Sequence, residues 1–240
     1  MKKLSAIFFD IDDTLYSTSE FARRARSNSV DAMIAAGVRL DRGTLLADLE
    51  EVIAEFSSNY GSHFDKLLLR LPPSAIEGLN PAIVVASAVA AYHDTKFQEL
   101  APYPDAVDLL RDLKRTGIVV GVITAGLAVK QAEKIVRLHI AQYLTPNAIF
   151  ISDQIGISKP NPKLYLRACQ EVRVKPAEAM YVGDNPANDI APPNSIGMIA
   201  VLNRSSGKYA SVAASVPPDY QISTFRELRE ILRNDFGLSV

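Results

Sequence analysis

An interruption constrains this chain more than any other feature of its sequence. Leu4 to Phe9 is a short apolar run that stops at Asp10, Asp12 and Asp13. A run of that length with turn chemistry at its end reads as a buried strand. The next strand pattern begins only at Ile118, and none interrupts Ser17 to Phe97. Helical patterns fill that gap: from Ser17 to a stop at Gly37, then Leu45 to Phe56, Phe64 to Leu71, and Pro81 to Lys96. Ser17 with Glu20 matches a capping box, and Asn80-Pro81 suits a helix start. After Tyr103-Pro104 the pattern changes. Helices over Asp105–Arg115, Val129–Leu138, Lys163–Gln170 and Thr224–Asn234 alternate with apolar runs at Ile118–Ile123, Ala148–Ile151, Ala179–Val182, Met198–Leu202 and Tyr220–Ile222. Strands that are apolar on both faces and alternate with helices predict a parallel sheet covered on both sides. The first strand is severed from that sheet by the helical block. The expected organisation is therefore an α/β domain over residues 1–16 and 101–240, with a helical insert over 17–100.

The chain has 240 residues, 26 Lys plus Arg and 27 Asp plus Glu, for a formal net charge of −1. A general nucleic-acid binder carries a basic excess, so no nucleic-acid partner is expected. The longest apolar run, Ala82 to Ala91, has about ten residues where a span needs about 20, so no membrane association is expected. Lys2 and Lys3 before the first apolar run imitate a leader peptide, but the run ends within a few residues in acid. The single cysteine, Cys169, excludes an internal disulfide and a multi-cysteine zinc site, and reads as a core residue. A cytoplasmic location is the expectation.

Four segments sit at the ends of expected strands, where open α/β sheets place ligands. Asp10-Ile11-Asp12-Asp13-Thr14 follows the first strand. A strand-end carboxylate can attack phosphorus to form an acyl phosphate. A second carboxylate two residues on can act as acid and then base. The bland alternative is acidic turn and helix-capping residues. Two anions at 4 Å repel by about 4 kcal/mol at an effective dielectric of 20. A divalent cation is therefore expected, and Mg²⁺ suits oxygen ligands beside phosphate. Thr124-Ala125-Gly126 ends another strand; its hydroxyl and backbone N–H groups can hold a phosphoryl group, or it is an ordinary turn. Lys159 stands in Ser158-Lys159-Pro160-Asn161-Pro162, a loop stiffened by proline, where a fixed ammonium offsets phosphate charge. Taken alone, it would be a solvated lysine. Asp184 and Asp189 follow Gly183 in the fourth segment. Asp184 could complete a cation site with Asp10, and Asp189 could orient Lys159 or cap a helix.

In this order and spacing the four segments resemble the haloacid-dehalogenase-like hydrolase superfamily, and the resemblance covers nearly the whole chain. It implies a Rossmann-like parallel sheet with an inserted all-helical cap of the subfamily IA kind. Ser58-Asn59-Tyr60-Gly61-Ser62-His63-Phe64-Asp65 and Tyr92-His93-Asp94-Thr95-Lys96-Phe97 resemble a narrower branch, common in archaea, of small-molecule phosphatases that includes glyceraldehyde 3-phosphate phosphatases. The resemblance implies residue roles. Asp10 is the nucleophile and binds Mg²⁺ through one oxygen. Asp12 binds Mg²⁺ through its backbone carbonyl and serves as acid and base. Thr124 and Lys159 are catalytic and, with Ala125 and Gly126, bind the phosphoryl oxygens. Asp184 is the side-chain metal ligand, and Asp189 supports the site. Two departures stand out: Ala125 where relatives often carry Asn, and Pro192-Pro193 where they often read Gly-Ala.

The implied activity is hydrolysis of a small phosphorylated metabolite, such as a triose or sugar phosphate, by a monomer or homodimer. Rivals are a 2-haloacid dehalogenase, a phosphotransferase or mutase of the same fold, and a non-catalytic phosphometabolite-binding protein. Asp12 argues against a dehalogenase, since halide leaves without a proton. In the helical block Tyr60, His63, Arg70, His93 and Lys96 could face substrate, and Arg23, Arg24 and Arg26 could attract an anion; each reads more simply as a packing or solvated residue. His139 is expected to end a helix. Ser206-Gly207-Lys208-Tyr209 lacks the upstream glycine and following hydroxyl of a phosphate-binding loop.

Overall fold

The computed structural model describes residues 2–57, 60–205 and 207–240. Ser58, Asn59 and Ser206, named above, lie outside them. The chain divides into two compact units, one of Met1–Ser19 with Ala101–Val240 and one of Glu20–Leu100. Strand β1 is Ala6–Phe9 and is buried along its whole length. The helices that follow are α1 (Thr18–Ala35), α2 (Arg42–Phe56), α3 (His63–Leu68), α4 (Pro73–Ile76) and α5 (Pro81–Glu99). Next come α6 (Pro104–Leu113), β2 (Val119–Thr124), α7 (Ala128–Arg137), β3 (Ile149–Ile151), α8 (Ser152–Ile155) and α9 (Pro162–Glu171). The chain ends with β4 (Ala179–Gly183), α10 (Ala191–Ser195), β5 (Ile199–Asn203), β6 (Tyr220–Ile222) and α11 (Phe225–Phe236).

The first unit is an α/β domain around a six-stranded sheet in the order β3-β2-β1-β4-β5-β6. Every pairing is parallel. β1 lies at the centre, with Phe9 opposite Val122 of β2 and Val182 of β4. The order of strands reverses at β1, and ligands bind such sheets at the reversal, beyond the carboxyl ends of the strands. A strand covered on both faces needs apolar side chains on both, which explains the run Ala6-Ile7-Phe8-Phe9. On one face Phe8 meets Phe150 edge-on at 6.0 Å between ring centroids, in a cluster with Leu164, Tyr165 and Tyr181. Cys169 is buried in the same cluster, and burial pushes its thiol up to about 11. It is a core residue.

Glu20–Leu100 is all helical and has its own core, built from Val30, Met33, Leu45, Leu49, Val52, Leu67, Val84 and Ala88 among others. The Ser29 hydroxyl donates to the carbonyls of Ala25 and Ala88, which ties α1 to α5. Asp41 and Asn80 cap α2 and α5 through their side chains. Gly37, at φ 107°, ends the first helical stretch, as the sequence predicts. Among the described residues no helix is long and apolar enough to cross a membrane.

Several boundaries differ from the expectations. The short helices α4 and α8 were not foreseen, because four residues are too few to show a helical period. α3 stops at Leu68, three residues earlier than its apolar pattern suggests. Thr224 is the cap of α11 rather than its first residue, accepting from the N–H of Glu227. His139 does close α7, in the left-handed region at φ 53°. The two prolines after Asp189 leave a helix in place: a π-helical turn over Pro186–Ile190 runs into α10, where Pro192 and Pro193 are buried in the first turn. First-turn N–H groups have no intrahelical acceptor, so proline costs little there.

Candidate active site

The register of the sheet sets the site. β2, β1 and β4 are neighbours, so Thr124, Asp10 and Asp184 emerge side by side at their carboxyl ends. The Asp10 N–H donates to the Val182 carbonyl, which holds Asp10 against β4 at 2.8 Å. Lys159 reaches the same point from the loop before α9. Its ammonium donates to Asp10 Oδ1 at 2.6 Å, to Asp189 Oδ1 at 2.9 Å and to the Tyr181 hydroxyl at 2.6 Å. The lysine side chain is only 4% exposed. All three ammonium donors are thus used, which a buried charge requires. The Tyr181 hydroxyl in turn donates to the Ile123 carbonyl at 2.8 Å and lies 3.4 Å from Asp189 Oδ1. Tyr181 was not among the residues expected from the sequence. It sits mid-strand in an apolar run, where a tyrosine looks like packing.

Asp189 divides its carboxylate between Lys159 and the N–H of Asn185, at 3.0 Å from Oδ2. Gly183 makes that approach possible. A Cβ at position 183 would lie 2.5 Å from the Cβ, Cγ and Oδ2 of Asp189. Gly183→Ala must therefore displace the group that orients Lys159. The expected result is a loss of about 1–3 kcal/mol in stability and of at least about tenfold in kcat, since misplaced catalytic groups are costly. Denaturant unfolding alongside turnover checks both, and an unaltered kcat would show that Asp189 does not need its present place.

Asp10, Asp184 and Asp189 each offer a carboxylate oxygen, and the three atoms lie within 4.8 Å of one another. Among the described residues no donor is hydrogen-bonded to Asp184, which is buried. Burial, then the charges of Asp189, Asp10 and Asp13, push Asp184 up to about 8. Burial first, opposed by Lys159 and reinforced by Asp189 and Asp12, pushes Asp10 up to about 7. Buried carboxylates of like charge call for a cation. A hard divalent ion fits this all-oxygen set; Asp10 and Asp184 could supply ligands, while Asp189 already accepts from Lys159 and Asn185. Lys159 itself is held charged: burial opposes its charge, but the anions of Asp10 and Asp189 outweigh burial and raise its pKa.

Asp12 is turned to a different set of partners. Lys134 donates to its Oδ1 and Oδ2 at 2.7 and 2.6 Å, Tyr16 and Thr18 to Oδ1 at 2.6 and 2.9 Å, and Gln131 to Oδ2 at 3.2 Å. Burial alone would raise its pKa, but the charge and hydrogen bond of Lys134, with Tyr16 and Gln131, bring it below the usual carboxylate value. Lys134 and Gln131 were also missed in the sequence, because a charged and an amide residue on an amphipathic helix look solvated. The loop after β2 is partly committed. The Gly126 N–H donates to Ser152 Oγ at 3.0 Å, and the Ala125 carbonyl accepts from Gln131 at 3.0 Å. Thr124 is buried at the strand end.

The weaker candidates lie in the helical unit. Arg70 pairs with Glu55 and Glu51, and Arg24 with Glu20 and Glu99. The His63 ring contacts the Ser57 carbonyl and packs against Tyr60, and His93 packs against Tyr92. These are the partners of packing and surface residues.

A family description, "haloacid dehalogenase-like hydrolase", matches residues 4–197. The chain is 43% identical over 236 residues to the glyceraldehyde 3-phosphate phosphatase of Methanopyrus kandleri, spanning 96% of this chain and 97% of that one. It is 40% identical over 239 residues to the protein of the same name from Pyrococcus furiosus, spanning 99% and 96%. Among solved structures it resembles a HAD phosphatase from Thermococcus onnurineus, with a TM-score of 0.65, 24% identity, and 95% and 98% of the two chains covered. The chain belongs to the haloacid dehalogenase-like hydrolases. Within them it stands with the phosphatases, enzymes that generally use Mg²⁺.

Proposed function

We propose that this chain hydrolyses the monoester of a small phosphorylated metabolite, with glyceraldehyde 3-phosphate the first candidate substrate. The observation that carries the reading is the Asp10–Lys159 pair at the sheet reversal, with the buried carboxylate of Asp184 beside it and Asp12 two residues along. The substrate candidate comes from the names of the similar Methanopyrus and Pyrococcus proteins.

In this reading an Asp10 oxygen attacks phosphorus in line, and the bond from phosphorus to the ester oxygen breaks. The leaving oxygen takes a proton from Asp12, which receives it from the bound monoanion, whose second pKa is about 6. Thr124, the Ala125 N–H and Lys159, which exchanges its Asp10 contact for the phosphoryl group, hold the non-bridging oxygens, while the Gly126 N–H stays with Ser152. Water then attacks the aspartyl phosphate and gives its proton to Asp12. The bond from phosphorus to Asp10 breaks, and inorganic phosphate leaves. Asp10 and Asp184, with the Asp12 carbonyl, are the proposed Mg²⁺ ligands, and the ion would supply countercharge to the phosphoryl group. The helical unit takes the part of a substrate-selecting cap.

Phosphate release in the presence of Mg²⁺, over a panel of triose, sugar, nucleotide and carboxylated phosphates, tests the reading. A triose phosphate is expected to lead the panel with kcat/KM at least about tenfold above the rest, one-tenth being a free-energy difference of about 1.4 kcal/mol. Preference for another ester would revise the substrate. Silence on every ester would overturn the phosphatase reading.

A further inference from the structure

We propose that Lys134 is a positioning residue for Asp12, fixing the plane of its carboxylate for both proton transfers; this rests on the phosphatase reading above. A carboxylate on an aspartate side chain turns easily, because its last torsion has broad wells. Tyr16 and Thr18 hold only Oδ1. Gln131 holds only Oδ2, at 3.2 Å; among the described residues Lys134 alone donates to both oxygens, and it does so from α7, far away in sequence.

Gln131 lies one helical turn earlier on the same face of α7. Its amide nitrogen donates both to Asp12 Oδ2 and to the carbonyl of Ala125. The glycine at 126 leaves it room: a Cβ there would lie 2.7 Å from Gln131 Nε2. α7 therefore links the acid–base group after β1 to the loop after β2 that receives the phosphoryl oxygens. The side chains of Lys134 and Asp12 are 19% and 31% exposed. A pair this far buried contributes to stability as well as to orientation, so the test needs a readout that a purely structural role would not move. Its two-pronged geometry fixes the orientation of Asp12.

The test compares Lys134→Met, Lys134→Ala and Lys134→Arg with the natural enzyme on two esters. One is an alkyl phosphate, whose leaving oxygen needs a proton; the other is 4-nitrophenyl phosphate, whose leaving group needs none. For Lys134→Met, kcat on the alkyl ester is expected to fall by about 10- to 100-fold, as for other misplaced catalytic groups. KM should stay within about threefold, because Lys134 does not hold the phosphoryl group. The rate of the nitrophenolate burst should fall by a smaller factor. Lys134→Arg should recover part of kcat, and added ethylamine should raise the rate of Lys134→Ala, since the lysine side chain is partly exposed. A crystal structure of Lys134→Met should show the Asp12 carboxylate rotated away from its present plane. An unchanged kcat in an active enzyme would overturn this inference and leave the phosphatase reading standing. Equal losses on both esters with a lowered melting temperature would overturn it as well, by assigning Lys134 a structural role. Silence of the natural enzyme on every ester would overturn both.

Discussion

Asp10→Asn should leave a folded protein whose phosphate release is at least about 10⁴-fold slower, the scale on which loss of a nucleophile is felt elsewhere. An amide of the same shape occupies the same place but does not attack phosphorus. The fold survives because β1 is held by its sheet neighbours and its apolar faces, and the backbone bond from position 10 to Val182 does not involve the side chain. The same substitution should stabilise the metal-free protein, and the sign follows from linkage. Asp10 is raised from 3.8 to about 7, by burial first and then by Asp189 and Asp12, against the pull of Lys159. A carboxyl raised on folding binds more protons in the native state than in the unfolded one. Native stability therefore falls as pH rises from about 4 to about 7 and stays lower above that. Neutral asparagine does not carry that loss. With chelator present, Asp10→Asn should melt about 3 °C or more above the natural protein at pH 8, and the gap should close towards pH 4.5, given about 2–4 °C per kcal/mol at this chain length. Lys159 keeps Asp189 and Tyr181 as partners, so its charge is not stranded. Turnover within tenfold of the natural enzyme would remove Asp10 from the nucleophile's role. A melting temperature that falls at pH 8 would show that the Lys159 pair outweighs burial and repulsion.

That trade between stability and chemistry bears on what the sequence can reveal. Asp10, Thr124 and Asp184 are legible because each follows a strand that must be apolar throughout, so a polar residue at its end stands out. The interrupted alternation likewise makes the insert visible, and the α/β unit begins and ends close to where the pattern changes, with Ser19 rather than Tyr16 at the first boundary. Lys159 is legible through its proline-rich loop. Tyr181, Gln131 and Lys134 are not, because their local settings are ordinary. Tyr181 completes a strand as any aromatic residue can, and only the fold aims its hydroxyl between Lys159 and the Ile123 carbonyl. Gln131 and Lys134 lie on an amphipathic helix whose polar positions look solvated in sequence. The packing of α7 beside the loop after β1 brings them to Asp12. Periodicity says which face of a helix is wet, but not which of its wet residues meets a partner more than a hundred positions away. The occupied N–H of Gly126 is a similar case, since its acceptor, Ser152, belongs to a four-residue helix with no sequence signature.

Removing Mg²⁺ should silence the enzyme, and the ion's affinity should weaken as pH falls. The proposed ligands explain both. Asp184 is pushed up to about 8 by burial and by Asp189, Asp10 and Asp13, and Asp10 to about 7. Without a cation, each therefore holds a proton over part of the range from pH 6 to 8. A metal ligand must give up its proton, so binding releases protons wherever the free site carries them. The apparent dissociation constant should rise on acidification, by about tenfold per pH unit for each proton displaced. Between pH 8.5 and 6.5 that amounts to at least about 30-fold, and above pH 9 the affinity should level off. Titration calorimetry in two buffers of different ionisation enthalpy measures the affinity and counts the protons released. Asp184→Asn should weaken Mg²⁺ binding by at least about 100-fold, the upper part of the range seen even for outer partners of metal ligands, and should flatten the pH dependence. Like Asp10→Asn, it should raise the melting temperature of the metal-free protein above pH 7, because it removes a buried charge that has no donor among the described residues. Asp189→Asn should act differently. Its carboxylate is bound to Lys159 and to the Asn185 N–H, so its loss should disturb Lys159 and turnover more than the affinity for the ion. A Mg²⁺ affinity indifferent to pH, or unaltered in Asp184→Asn, would place the ion elsewhere. An affinity lost in Asp189→Asn but kept in Asp184→Asn would exchange the roles of the two aspartates.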